Sequence, residues 1–400
     1  MNSASRHAPP GRGAVDTEDT RAWLTLLRAP AFGASRLRSA IEQHGNAIAA
    51  LAALRRRTAA PALVEAAREW LRAPDEARLD ADLAWLALPS HHLLTCVDPD
   101  FPALLQRTPA APAALFVAGD PTMLWRPQVA VVGSRNPTAI GRENAASFAA
   151  ALAAAGLTVT SGLADGVDAA AHEAGLASSA GTIAVVGTGP DRVYPAKHRA
   201  LAGRIVASGA LVTEFPPGTS ARREHFPRRN RVIAGLSLGT LVIEASVQSG
   251  ALITARLAGE AGREVFALPG SIHNPLARGC HKLIRQGATL VETTDEVIEA
   301  LTPVALQLAD ALRARLQMAP DGRSGDLPAR PLEAAAAGAA DADPDYMRLW
   351  EALGYEPSRI DQLAARTGLT VDALSSMLLS MELEGRVDAA HGRFARAVRR

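Results

Sequence analysis

Long apolar runs are missing from this 400-residue chain. No stretch approaches the ~20 consecutive apolar residues of a membrane-spanning helix, and residues 1–16 lack the apolar core of a signal peptide, so the chain is expected to stay in the cytoplasm. Cysteine is almost missing as well: Cys96 and Cys280 are the two present. Neither lies in a CxxC pair, which excludes a disulfide framework and fits a reducing compartment. No HExxH occurs, and His91-His92 and Cys280-His281 have no partners at ligand spacing, so neither a metal nor another cofactor is expected. No GxSxG nucleophile elbow is present. Lysine is scarce, with only Lys197 and Lys282 among 42 basic side chains. Neither follows a glycine in a GK[ST] context, which argues against a P-loop ATPase. Excess charge is missing too. At a net charge of +1, a polyanionic partner must be met by a local patch and not by the whole surface.

What the chain does have is room for two or three cores. Residues 1–16 are polar with Pro9 and Pro10 and read as disordered. Residues 17–90 are Ala-, Leu- and Arg-rich with helical spacing, broken at Pro30–Gly33 and His44-Gly45. Paired helices of this kind either grip a DNA backbone or form a small docking domain. Residues 91–126, with Pro102, Pro109, Pro112 and the apolar run Ala114–Val117, supply a lead-in strand or loop. From Gln128 to about Thr302 strands and helices alternate. The strand candidates are 129–132, 157–160, 182–186, 210–213, 240–243, 265–268 and 289–291, most followed by a loop rich in Gly, Pro or Ser. That alternation predicts an α/β, doubly wound parallel sheet, whose ligands sit at the carboxyl ends of the strands. Residues 303–344 read as a helix and an Ala/Pro/Gly-rich linker. Residues 345–400 fit a winged helix, with Val371, Leu374, Leu378 and Met381 on one face of its third helix and a hairpin from Arg386 to Ala397. The other faces of that helix carry Asp372, Ser375, Ser376, Ser380 and Glu382. Eight acidic and eight basic side chains in this segment favour protein contact over duplex reading.

The loops after the strands carry the candidate chemistry. Gly133 ends a buried strand, and Arg135 follows it. The turn is either an anion site on the free N–H groups of the next helix or a tight βα turn with a solvated arginine. In SGLADGVDAAAH, Gly162 and Gly166 flank Asp165, and Asp168 stands one helical turn before His172. Asp168 is expected to cap its helix and His172 to bond to it, with a general-base pair as the less favoured reading. GTGPDRVYP, Gly187 to Pro195, has Arg192 where a dinucleotide fingerprint needs its third glycine, so a nicotinamide-binding domain is disfavoured. ARREHFPRRNR, Ala221 to Arg231, holds five arginines around Phe226. Guanidinium groups bind phosphates, and a ring beside them offers a base a face to stack on. Converging loops at one sheet edge would make a phosphate-backbone groove, to which SVQSGALITA and PGSIHNPLARGCHKLIRQGA add hydroxyls, Arg278, Lys282 and Arg285.

Six ordered motifs, GSR (133–135), SGLADGVDAAAH (161–172), YP (194–195), TEFPPGT (213–219), FPRRNRVIAGLS (226–237) and VIEASVQSGALITA (242–255), resemble the DprA/Smf family of bacterial DNA-processing proteins. The resemblance implies an extended Rossmann-like domain over 91–302, preceded by a small helical SAM/HhH-like domain and followed by a winged helix. It also implies single-stranded DNA binding, a homodimer, displacement of single-strand-binding protein and loading of RecA during natural transformation, with no enzymatic activity. By the same resemblance Gly133, Ser134 and Arg135 hold a phosphate, and Arg223, Phe226, Arg228, Arg229, Asn230 and Arg231 line the strand's path. Ser249, Gly250 and Thr254 close the pocket, and Gly162, Gly166 and Lys282 complete the nucleic-acid-binding set. His281 stands where many relatives have Asn, a change that affects one local contact. The competing reading is a nucleotide-hydrolysing phosphoribohydrolase of the lysine-decarboxylase-like group. That group carries PGGxGTxxE, whereas SVQSGALITARLAGE lacks the glycine pair and places Glu260 too far along.

Overall fold

The computed structural model describes residues 17–56 and 63–317 together with parts of 349–396. The expected disorder of 1–16, the linker and the polar faces of the third C-terminal helix, Val371 included, lie outside the described residues.

Nine strands form one sheet: β1 (His91–Thr95), β2 (Ala114–Gly119), β3 (Gln128–Gly133), β4 (Thr158–Ser161), β5 (Thr182–Val185), β6 (Ala210–Thr213), β7 (Gly239–Ile243), β8 (Glu264–Ala267) and β9 (Thr289–Leu290). Their order is β1-β2-β6-β5-β4-β3-β7-β8-β9. Strands β3 to β9 pair in parallel, while β2 runs antiparallel to β6 and β1 antiparallel to β2. The lead-in stretch thus supplies two strands that continue the sheet. All seven parallel strands, β3 to β9, were expected from apolar runs alone, because a parallel strand buried on both faces reads as an unbroken hydrophobic string. Even so, the side chains alternate. Val129 and Val131 join one core, and Ala130 and Val132 the other.

The chain runs outward from β3 through β4, β5 and β6 and then returns to place β7 on β3's other side. The strand order therefore reverses between β3 and β7, where α/β sheets open a crevice.

The helices, in chain order, are α1 (Thr17–Arg28), α2 (Ala34–His44), α3 (Ala47–Arg56), α4 (Glu65–Arg72), α5 (Glu76–Leu86), α6 (Ala103–Gln106), α7 (Ala139–Ala154), α8 (Val167–Gly175), α9 (Arg199–Ser208), α10 (His225–Leu236), α11 (Gly250–Glu260), α12 (Arg278–Arg285) and α13 (Thr294–Gln317). Residues of α7, α8 and α13 cover one face, with Phe148, Leu152, Val167, Val297 and Leu301 against Val131, Leu241 and Phe266. Residues of α10, α11 and α12 cover the other, with Val232, Ile233, Leu236, Ala255 and Leu283 against Val132, Val185 and Val242. Helix α13 runs unbroken through Pro303.

Of the five leading helices, α1 to α4 enclose a core around Trp23, Leu26, Leu37, Ile41 and Leu71, joined by Cys96 and Ala113. A second core is shared with the sheet, where Leu24, Leu79 and Trp85 pack with Phe116, Leu211 and Ile205, and with Leu163 from the loop after β4. Arg28 donates to both carboxylate oxygens of the buried Asp82 at 2.5 and 2.6 Å, and to the Pro217 carbonyl at 2.8 Å. Burial pushes the Asp82 carboxyl up, and Arg28 opposes that shift.

In the C-terminal unit, β10 (Ser358–Arg359), α14 (Ile360–Thr367), β11 (Val387–Ala390) and β12 (Arg393–Arg396) are described. The strand order is β10-β12-β11, and β11 and β12 form the expected hairpin. Leu349, Leu353, Leu363, Leu374, Leu378 and Met381 share one core, as their helical spacing predicts.

Candidate nucleic-acid interface

At the carboxyl ends of β3 and β7, where the strand order reverses, lies a cavity of about 370 Å³. Gly133, Ser134 and Arg135 enter it from β3, Asp168 from α8, Phe226, Arg229 and Asn230 from α10, and Ser249, Gly250 and Thr254 from α11. Only glycine fits at 133, because a Cβ there would sit 1.9 Å from the Ile243 carbonyl oxygen of the adjacent strand. Gly166 backs the same turn at φ +78°, with Ser134 and Arg135 carbonyl oxygens 2.3 and 2.6 Å from its missing Cβ. The Val167 N–H donates to the Ser134 carbonyl at 3.1 Å. Gly162 leaves room for the Arg229 guanidinium, which a Cβ would meet at 1.5 Å.

The anion site expected on the helix that follows Gly133 is already filled. Helix α7 starts only at Ala139, capped by Thr138, whose hydroxyl accepts from the Gly141 N–H at 3.0 Å. Glu244, at φ +49° beyond the end of β7, accepts from the Thr138 N–H and hydroxyl at 2.7 and 2.6 Å and from Asn274 Nδ2 at 3.1 Å. Its carboxylate holds the position a ligand anion would take on the positive end of α7. The helix start that opens into the cavity is that of α11. There the Ser249 hydroxyl accepts from Ala251 N–H at 3.3 Å, and Asn230 Nδ2 donates to the Gly250 carbonyl at 3.4 Å.

Two arginines, Arg135 and Arg229, and one aspartate, Asp168, line the cavity. Arg229 is 5% exposed and donates to the Val185 carbonyl at 3.0 Å, while its Nε has no hydrogen-bond partner among the described residues. Burial pulls its guanidinium down to about 10 against the pull of Asp168, so it stays charged near neutral pH. Asp168 accepts from the Gly162 and Ala164 N–H groups at 3.1 and 3.4 Å. Burial pushes its carboxyl up, and Arg229 and these amides oppose that. Asp168 therefore caps the loop before its helix, not the helix itself. His172 does not bond to it. Its Nε2 accepts from the Leu163 N–H at 3.3 Å and its Nδ1 meets Thr182 Oγ1 at 2.7 Å. Because that hydroxyl donates onward to the Val159 carbonyl, Nδ1 carries the ring proton. Burial lowers His172 to about 3, so it is neutral. Arg229 and Asp168 are both buried, so exposed Arg135 is the cavity cation open to a ligand.

The arginine segment is loop only in its first half, since α10 begins at His225. Pro227 sits in the first turn, where no intrahelical N–H is required. Arg222 and Arg223 precede the helix, exposed. Arg228, half exposed, lies 3.3 Å from Glu214 and 5.0 Å over the Phe215 ring. Arg231 turns inward to Glu214 and the Ala110 carbonyl; burial lowers its guanidinium and Glu214 resists. The Phe226 ring, expected to be open, is surrounded: the guanidinium carbons of Arg135 and Arg229 lie 5.5 and 6.0 Å from its centroid, and the Tyr194 ring 5.9 Å away.

Lys282 stands apart, lining a second cavity of about 700 Å³ bounded by α11, α12 and β8 that meets the first at Ser249. His281 hydrogen-bonds the Gly270 carbonyl through Nε2 at 2.9 Å, away from the first cavity. Two glutamates bind the loops from inside. Glu214, which by its place after a strand could have met a ribose, instead pairs with Arg228 and Arg231, and Glu244 escapes sequence reasoning, its one signal being that it directly follows a buried strand. Among the described residues, no group of His, Cys, Asp or Glu could hold a metal ion.

A family model of DNA recombination-mediator protein A matches residues 92–302, and one of the DprA winged helix domain matches residues 333–393. The chain belongs to the DprA/Smf family. It is 40% identical over 319 residues to protein Smf of Escherichia coli, covering 80% of each chain. It is 42% identical over 224 residues to DNA processing protein DprA of Streptococcus pneumoniae, covering 56% of this chain and 77% of that one. The X-ray structure of the pneumococcal DprA superposes with a TM-score of 0.62 at 34% identity, covering 70% of this chain and 97% of that one. Family membership accounts for the extended Rossmann-like sheet and the winged helix together.

Proposed function

We propose that this chain is a non-catalytic, cytoplasmic recombination mediator that binds single-stranded DNA through the β3–β7 cavity. As a homodimer it displaces single-strand-binding protein and loads RecA during natural transformation. The carrying observation is that Arg135 is exposed in the cavity beside the start of α11 and the hydroxyls of Ser134 and Ser249, while Arg229 is buried. One open guanidinium can pair with one phosphodiester, and the helix start supplies N–H donors to it. Arg223 and Arg228 extend the path outside the cavity, while Gly133, Gly162 and Gly166 let the backbone approach closely.

The hydrolase reading needs a carboxylate beside a ribose. Glu260 instead pairs with Arg256 at 2.8 Å on the exposed side of α11, and Asp168 in the cavity is already held by two amides. No described helix is long and apolar enough to cross a membrane.

The test is fluorescence anisotropy of a labelled single strand, competed with duplex and with mononucleotide at two salt concentrations. Tight, salt-sensitive binding that neither competitor displaces is expected. Weak strand binding, with mononucleotide competing or being consumed, refutes the reading in favour of the hydrolase.

A further inference from the structure

Phe226 has the composition of a stacking platform but not the freedom. Two guanidinium groups and one ring already surround it, and it is half-buried. A ring in that position braces Arg135 from behind by cation–π attraction. The aromatic surface left over belongs to its outer neighbour. Tyr194 is 52% exposed, while Val193 beside it packs inward against the core shared with the leading helices.

The segment carrying Tyr194 is pinned on both sides. Upstream, Asp191 accepts from the Gly218 N–H at 2.7 Å and the Thr188 hydroxyl donates to the Arg192 carbonyl at 2.5 Å. Downstream, Lys197 and His198 both reach Asp165 Oδ1, at 2.8 and 2.9 Å, one residue from the cavity-lining Ala164. A large ring on a fixed loop at the mouth of a phosphate site loses little entropy on contact, and every base offers it a π-face.

We propose that Tyr194 is the base-contacting residue of this site, stacking on the base next to the phosphate at Arg135, with Phe226 as the strut between them. The proposal rests on the single-strand reading above and assigns the division of labour within it: Arg135 reads backbone and Tyr194 reads base.

The test pairs an oligothymidylate with an abasic strand of equal length and backbone. Tyr194→Ala and Tyr194→Leu should each lose about 5- to 150-fold on the thymidylate, keep wild-type affinity for the abasic strand, and keep the salt slope. Tyr194→Phe should bind as wild type does. Phe226→Ala should lose on both strands, because Arg135 loses its brace. Unchanged thymidylate affinity in Tyr194→Ala and Tyr194→Leu, or an equal loss on the two strands, overturns the assignment. Wild-type protein that binds neither strand overturns the DNA reading itself, so the two failures are distinct.

Discussion

Replacing Arg135 by alanine removes the exposed cation of the cavity, since Arg229 is buried. A charged hydrogen bond contributes roughly 1.5–3 kcal/mol, so the loss for a single strand should be ~10- to ~150-fold. One lost phosphate contact also lowers the slope of log affinity against log salt by about 0.7. Between about 50 and about 200 mM salt, the variant should therefore lose roughly 2.6-fold less affinity than wild type does. Arg228→Ala is the internal comparison. Its guanidinium shares Glu214 with Arg231, so part of its charge is already balanced and it must leave Glu214 to meet a phosphate. Its loss should stay below about 3-fold, with a slope change under half that of Arg135→Ala. Both side chains are exposed, and thermal melting should match wild type. Anisotropy titrations at several salt concentrations decide the matter. Wild-type affinity and slope in Arg135→Ala, or a larger loss in Arg228→Ala, would refute the phosphate contact at Arg135.

Gly166→Ala should destabilise by roughly 1–3 kcal/mol from its positive φ alone, and should weaken strand binding because its Cβ would push on the Ser134 and Arg135 carbonyls; urea unfolding and titration at wild-type values would contradict this. Both cysteines are buried, with Cys280 pushed up to about 11 and Cys96 also raised by burial. A thiol reagent at neutral pH should therefore find no fast site in the native protein and two after unfolding; a fast native site would refute that burial. Lys197 and His198 hold the Asp165 carboxyl below its ordinary value of 3.8 against a smaller effect of burial. That contribution, below about 1 kcal/mol for so exposed a pair, is present above pH 4 and lost as pH falls through the lowered value. Denaturation of wild type and Asp165→Asn should differ at neutral pH and converge in acid, and a constant gap would count against the anchor.

The sheet was legible because β3 to β7 are buried on both faces, so their apolar runs need no tertiary information. Arg229 was not legible in the same sense. A charged residue in a basic run reads as solvated, and its inward turn depends on the space at Gly162 and on Asp168, both remote in sequence. The start of α10 was hidden within that run, since Pro227 looks like a loop residue and serves as a first-turn one. Glu244 fills the start of α7 from the neighbouring strand, a contact between segments over a hundred residues apart that the strand–glycine–helix pattern does not contain. Lys282 lies in the neighbouring segment that the sequence singled out, yet it sits on α12 and lines a different cavity, because which cavity a helical side chain meets depends on how that helix packs on the sheet.

Leu163 ties the leading helices to this chemistry. It is fully buried at φ +56°, wedged among Leu24, Leu79 and Trp85, while its own N–H engages His172 and its neighbours Gly162 and Ala164 donate to Asp168. The front helices are thus the floor on which the ligand-facing loop stands. Trimming them away would tilt that loop without touching a single ligand-facing side chain, so a survey that looked for contacts alone would overlook them, and a binding assay on the shortened protein would not.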